Sequence, residues 1–197
     1  MSNLQDILHP TLIVEAYREG FFPMAESKEG PIYWHSPDPR AIIPLQNVRR
    51  PRSLRQLIKK NPFEYRVDYA FEEVIHRCAE REDTWISSDI IHNYLELFRM
   101  GLTHSVEAWQ DGRMVGGLYG VAIGGAFFGE SMFTDVSNAS KAAFYVLTDI
   151  LKQNNFILLD SQYINAHTRL LGAIEIPRSL YLVLLKKALY LPVTFEY

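Results

Sequence analysis

Residues 124–141 read GGAFFGESMFTDVSNASK, and how this run is parsed decides the fold. It opens on a two-glycine turn, passes through an apolar strand-like run (Ala126, Phe127, Phe128, then Ser131, Met132, Phe133) and ends where a helix can start. Aromatic-rich runs of this kind suit a pleated surface packed against a core. Gly129 and Glu130 interrupt the run with a residue that has no side chain and then a charge. A glycine inside a strand marks a bulge or a close approach of a ligand to the backbone. The strand is therefore expected to border a pocket.

Working outward, residues 105–109 and 113–123 also read as strands, separated by Asp111 and Gly112, while Gly124 and Gly125 precede the next run. Both dipeptides favour hairpins, so 105–133 is expected to form an antiparallel meander. A helix over 139–152 follows, with Ala139, Ala143, Val146, Leu147 and Ile150 as its apolar stripe, then a strand over 156–160, a short helix from Asn165 and an apolar helix over 179–190. Upstream lie a strand at 64–67, an amphipathic helix at 69–79, and a helix at 89–100 that Gly101 ends. This order, with mostly antiparallel pairing, predicts an α+β domain, a pattern that acyltransferases of the GNAT type share. Residues 1–38 form a small proline-rich N-terminal domain, with a helix at 12–19 closed by Gly20, that is too short to fold without the 39–197 domain.

A composition of 48% hydrophobic and 22% charged residues places the chain among ordinary soluble proteins. No run approaches the length of a membrane span, and the start MSNLQDILHP lacks the layout of a secretory signal, so a cytoplasmic monomer is expected. The lone Cys78 forbids internal disulfides and multi-cysteine zinc sites, and it falls at helical spacing with Phe71, Val74 and Ile75. A net charge of −3 argues against a protein that coats nucleic acid. Screening over about 8 Å nevertheless makes local clustering the relevant quantity. Arg49, Arg50, Arg52, Arg55, Lys59 and Lys60 put six basic residues into twelve positions with no acid among them. On a helix capped by Ser53, Leu54, Leu57 and Ile58 share one face while Arg52, Arg55 and Lys59 project opposite, a stripe suited to a phosphate backbone.

Several chemistries are excluded by spacing. Gly129 to Phe133 ends in Phe where a hydrolase elbow needs its second glycine, which makes Ser131 a poor nucleophile. Phosphate-cradling glycine loops and HExxH are absent, and residues 133–137 hold no glycine to receive the pyrophosphate of coenzyme A. Neither a metal nor a cofactor is expected.

The chain resembles the leucyl/phenylalanyl-tRNA–protein transferases. The likeness rests on Trp34 with SPDPR (36–40), SLR (53–55), TWI (84–86), HSVE (104–107), GGLYGVA (116–122), FGESMF (128–133) with NASK (138–141), and LLDSQ (158–162) with LGAIEIPR (171–178). It implies a GNAT-like catalytic domain behind a small N-terminal domain. The implied reaction moves Leu or Phe, and Met less well, from aminoacyl-tRNA to proteins or peptides beginning with Arg or Lys, marking them for N-degron proteolysis. It assigns Asp160 and Gln162 to the attacking amine, with Asp160 ordering the Gln162 amide, and gives Glu130 the acceptor's cation or the donor's amino group. Leu118, Phe127, Gly129, Met132, Leu147 and Leu159 line the donor pocket, to which Ser131 is added, Trp85 flanks the adenosine or the pocket mouth, and residues 49–60 hold the acceptor stem. The alternatives are a GNAT-type transferase acting on a cell-wall precursor or small amine, and a non-catalytic binder of basic N-termini. Met24 and His35 stand where the family often has tryptophan.

Overall fold

The structure, a computed structural model, describes residues 8–48, 50, 52, 56, 62–81 and 84–197. The N-terminal segment supplies α1 (Pro10–Arg18) and a hairpin of β1 (Phe22–Ala25) and β2 (Ile32–His35). Then come β3 (Arg40–Ile42), a 3₁₀ turn (Leu45–Asn47), β4 (Glu64–Val67), α2 (Phe71–Cys78) and α3 (Ser88–Arg99). The meander is β5 (Thr103–Gln110), β6 (Arg113–Ile123) and β7 (Ala126–Thr134). The chain closes with α4 (Ala139–Gln153), β8 (Leu158–Gln162), α5 (Ala166–Leu170), β9 (Ile174–Ile176) and α6 (Arg178–Leu189). The α+β class is as expected, and among the described residues no helix is long and apolar enough to cross a membrane.

Seven strands form one sheet in the order β4-β5-β6-β7-β8-β3-β9, in which β7 with β8 is the parallel pair. Asp111 and Gly112 take φ of 51° and 74°, the conformation that a two-residue hairpin of the I′ type demands. Successive side chains of a strand face opposite ways, and the two cores divide accordingly. Phe127 packs with Leu118, Leu147 and Leu159 beneath α4, whereas Phe128 joins Phe71, Tyr94, Tyr119 and Tyr181 beneath α2, α3 and α6. Ile13, Val14, Tyr17 and Phe22 of the N-terminal segment belong to this second core, so the segment completes it.

Departures from the expected boundaries have local causes. Strand β3 stops at Ile42 because the chain turns at Pro44 into the 3₁₀ turn. The strand expected from Phe156 starts at Leu158 and runs on to Gln162, and β1, β2 and β9 are three or four residues long, too short to show a period. Of the helix expected from Ser53, Arg52 and Gln56 are helical and exposed, and the rest lies outside the described residues.

The bulge expected at Gly129 and Glu130 is present. Tyr119 pairs with Ser131 and Gly120 with Gly129, which leaves Glu130 as the extra residue on β7. A Cβ on Gly120 would lie 2.3 Å from the Phe128 carbonyl oxygen and 2.4 Å from the Phe127 ring. Gly120→Ala is therefore expected to cost at least about 2 kcal/mol, because backbone rather than a flexible side chain would have to move. Urea midpoints check this, and an unchanged midpoint would show that the bulge tolerates a side chain opposite it.

Candidate active site

Strands β7 and β8 pair only over Ala126–Phe128 and Leu158–Asp160. Beyond that, β7 bulges at Glu130 while β8 pairs on its other side with β3, Gln162 facing Ala41. Crevices at the carboxyl ends of parallel strands, where neighbours part, are where open α/β sheets bind ligands. Here the parting brings Glu130 and Gln162 together, with Gln162 Nε2 donating to Glu130 Oε1 at 2.9 Å.

Glu130 is buried at 9% exposure. Tyr17 of α1 donates to its Oε1 at 2.6 Å, and the Tyr94 hydroxyl of α3 lies 3.4 Å from Oε2 and 2.5 Å from the Tyr17 hydroxyl. Burial pushes the Glu130 carboxyl up to about 7; the donors Tyr17, Gln162 and Tyr94 pull the other way, and the nearby Asp160 charge adds to the rise. Among the described residues no cation pairs with it. A carboxyl that titrates near neutrality can take a proton from an amine and return it.

Asp160 has a different office from the one its spacing suggested. It is fully buried and forms a bidentate pair with the equally buried Arg40, Nε to Oδ1 at 3.0 Å and Nη2 to Oδ2 at 2.6 Å. The Tyr181 hydroxyl donates to Oδ2 at 2.7 Å and the Gln162 backbone N–H to Oδ1 at 2.8 Å. Four donors occupy its two oxygens, which leaves poor access for a substrate amine. The expectation that Asp160 orders the Gln162 amide is corrected: Glu130 accepts from that amide, and Asp160 holds the Gln162 backbone at φ 64°, a conformation uncommon outside glycine. Arg40 is clamped in turn, its guanidinium 4.7 Å from the Phe22 ring centroid and 4.5 Å from that of Tyr181, with Nη1 donating to the Gly20 carbonyl at 3.1 Å.

On the α4 side, Leu118, Phe127, Leu147 and Leu159 are buried in one cluster, and the half-buried Met132 packs against it. Gly129 and Ser131 are half-buried on β7, and Ser131 Oγ accepts from Arg81 Nη2 at 2.9 Å. Trp85 is half-buried against the other core, on the Glu130 face of the sheet. Of the basic stripe, Arg49, Arg55, Lys59 and Lys60 lie outside the described residues, and Arg52 is exposed on a helix. Arg50 is paired with Asp149 of α4 and lies 5.7 Å from the Tyr145 ring centroid, so its charge is partly neutralised. Among the described residues no group of three or more His, Cys, Asp or Glu is placed to hold a metal.

Tyr17, Tyr94 and Tyr181 were not singled out from the sequence, and Arg40 was noted only within SPDPR. They come from α1, α3, α6 and β3, and no spacing along the chain links them to residues 130 and 160.

Comparison with known proteins bears on this arrangement directly. Residues 6–38 match the model of the leucyl/phenylalanyl-tRNA protein transferase N-terminal domain, and residues 42–186 match that of the leucyl/phenylalanyl-tRNA protein transferase. The leucyl/phenylalanyl-tRNA–protein transferase of Gloeobacter violaceus is 51% identical over 189 residues, covering 96% of this chain and 98% of the relative. That of Chlorobaculum tepidum is 49% identical over 187 residues, 93% of this chain and 96% of the relative. That of Herpetosiphon aurantiacus is 50% identical over 189 residues, 95% of this chain and 98% of the relative. With both family models matched in order and near-half identity sustained over almost the whole length, the chain belongs to the leucyl/phenylalanyl-tRNA–protein transferase family.

Proposed function

We propose that this aminoacyltransferase moves Leu or Phe, and Met less readily, from aminoacyl-tRNA to the α-amine of proteins and peptides that begin with Arg or Lys, and so marks them for N-degron proteolysis in the cytoplasm. The observation that carries the reading is Glu130, a carboxyl brought to neutrality and bonded to Gln162 where β7 and β8 part.

The ester that joins an amino acid to tRNA is already activated, so the step requires only an oriented amine and an outlet for its proton. An α-amine has a pKa of about 7.7 to 8.0 and is roughly one-third neutral at pH 7.5, whereas a lysine side chain near 10.4 is about 0.1% neutral. The neutral α-amine attacks the ester carbonyl carbon, a C–N bond forms, Glu130 takes the amine proton, and the bond to the ribose oxygen breaks as that oxygen receives a proton. Gln162 Oε1, which has no partner among the described residues, is placed to accept from the amine while Nε2 stays on Glu130. Holding the two reactants in register is worth about 7 to 11 kcal/mol in well-oriented systems. The donor side chain lies against Leu118, Phe127, Gly129, Met132, Leu147 and Leu159, with Ser131 at the rim and Trp85 beside the terminal adenosine. Pockets of this kind discriminate a methylene by only about 1 to 3 kcal/mol, which accounts for leakage to Met. The stripe at 49–60 contacts the acceptor stem.

The acceptor's charge has a counterpart in the same residue. Asp160 is neutralised by Arg40, so an N-terminal Arg or Lys meets Glu130, and the added positive charge holds that carboxylate ionised. The test is transfer of labelled Phe from Phe-tRNA to peptides that begin with Lys, Arg or norleucine. Label on the α-amine is expected, with norleucine lower in kcat/KM by roughly 10-fold or more, in line with a charge-assisted contact. Norleucine reacting as well as Lys would refute the pairing, and tight peptide binding without transfer would identify a binder.

A further inference from the structure

Past the bulge, β7 is gripped from both faces of the sheet by groups that can carry positive charge. Arg81 donates to Ser131 Oγ at 2.9 Å on the side of Tyr119 and Cys78, and His167 of α5 places Nε2 2.9 Å from Met132 Sδ on the side of α4. Lys141, in the first turn of α4, is the third member. Burial lowers the pKa of the half-buried His167, and the charges of Lys141 and then Arg81 lower it further, so His167 lies within the field of both.

Among the described residues neither Arg81 nor Lys141 is paired with a carboxylate. Arg77, one helical turn before Arg81, shows the usual outcome: it pairs with Asp135 at 2.6 Å and with Glu80 at 2.9 Å and lies 4.8 Å from the Phe133 ring centroid. In a chain of net charge −3, like charges gathered beside a reaction centre repel one another, and an anion between them relieves that repulsion.

We propose that Arg81, Lys141 and His167 form a phosphodiester subsite for the last linkage of the nucleic-acid donor. The inference rests on the transfer reading above and assigns that donor a second point of attachment. Ser131 and Met132 directly follow Glu130 on β7, and a strand advances about 3.3 Å per residue. An ester held at Glu130 and Gln162 thus has its own nucleotide, and the phosphate at that nucleotide's far end, beside these three groups. The Arg fork and the Lys point charge suit the two non-bridging oxygens. With Nε2–H on the Met132 sulfur, His167 donates to the anion through Nδ1 as the imidazolium, the form that an anion there favours. Such a contact reads no base, and it holds the terminal nucleotide at a fixed distance from the carbonyl, independently of the acceptor stem and of residues 49–60.

The test uses the full chain and two small donors, phenylalanyl adenosine and the same compound carrying a 5′-methyl phosphate. Wild type is expected to show a KM roughly 10- to 100-fold lower for the phosphorylated donor, the range of a hydrogen bond to a charged group. In Arg81→Gln/Lys141→Gln this preference should collapse while KM for plain phenylalanyl adenosine is unchanged. Lys141→Gln alone, which leaves the Ser131 contact intact, should remove part of it. A preference that survives in the double variant overturns the proposal. So does a rise in KM that is equal for both donors, which would mean the residues support the pocket, or a rise confined to the acceptor peptide, which would assign the charges to an acidic acceptor. If wild type transfers from neither small donor nor from Phe-tRNA, it is the transfer reading that fails.

Discussion

Asp160→Asn is expected to lower the unfolding free energy by about 3 to 5 kcal/mol, because it leaves the Arg40 guanidinium buried without a countercharge. For a chain of this length that corresponds to a fall in Tm of roughly 6 to 20 °C. The Tyr181 hydroxyl and the Gln162 N–H lose the charged acceptor at the same time, and Gln162 loses the contact that holds its left-handed backbone. Activity falls as a consequence, through Gln162 and through the unfolded fraction. Arg40→Ala should be comparably destabilising, and Arg40→Ala/Asp160→Asn should cost much less than the sum, since each charge is harmful chiefly when the other is missing. Urea titration of the four proteins measures the coupling. An Asp160→Asn protein of wild-type stability that has lost only kcat would instead make Asp160 the proton acceptor, and would overturn the division of labour between the two acids.

Glu130→Gln should show the opposite pattern: kcat reduced about 10²- to 10⁴-fold, the range for removing a general base, with stability maintained or raised at neutral pH. The sign follows from the two protonation states. An unfolded glutamate titrates near 4.3, while the folded group is held up to about 7 by burial. Between those values the unfolded chain releases a proton that the folded chain keeps, so this residue's contribution to stability declines as pH rises from about 4 to about 7 and is level above that. The amide variant has no such decline. For the wild type, log kcat/KM, which reports the free enzyme, should climb with pH up to about 7 and then flatten in Glu130's contribution as the carboxylate form fills, whereas the variant should lack that limb and retain only the dependence due to the α-amine itself. Stability by denaturant at pH 5 and pH 8, with kcat/KM across the same range, checks both halves. A variant that keeps the limb would place the titrating group elsewhere.

Much of the architecture is legible because it is local. Asp111-Gly112 adopts the backbone that its two residues favour, Ser87 and Gly101 flank the helix that they punctuate, and the interruption at Gly129 and Glu130 marks the bulge itself. The family, too, is readable from motifs in order along the chain. The short strands β1, β2 and β9 are not, because three or four residues cannot show a period and their extended form is stabilised by partners elsewhere in the sequence.

The chemistry at the site belongs to the second kind of information. LLDSQ and FGES single out Asp160, Gln162 and Glu130 as candidates, but which acid is free of a cation cannot be read from them. Asp160 is occupied because Arg40 lies 120 positions away in sequence and 2.6 Å away in space, and burial pushes Glu130 up to about 7 although Tyr17, Gln162 and Tyr94 donate to it, with no cation paired to it among the described residues. The sequence by itself determined the longer elements, the bulge and the family, since these follow from backbone preferences and from side chains near in the chain. Only the tertiary structure decided which of the two carboxylates is paired with a cation, since a charge responds to the dielectric and the dipoles within a few ångströms, whichever part of the chain supplies them.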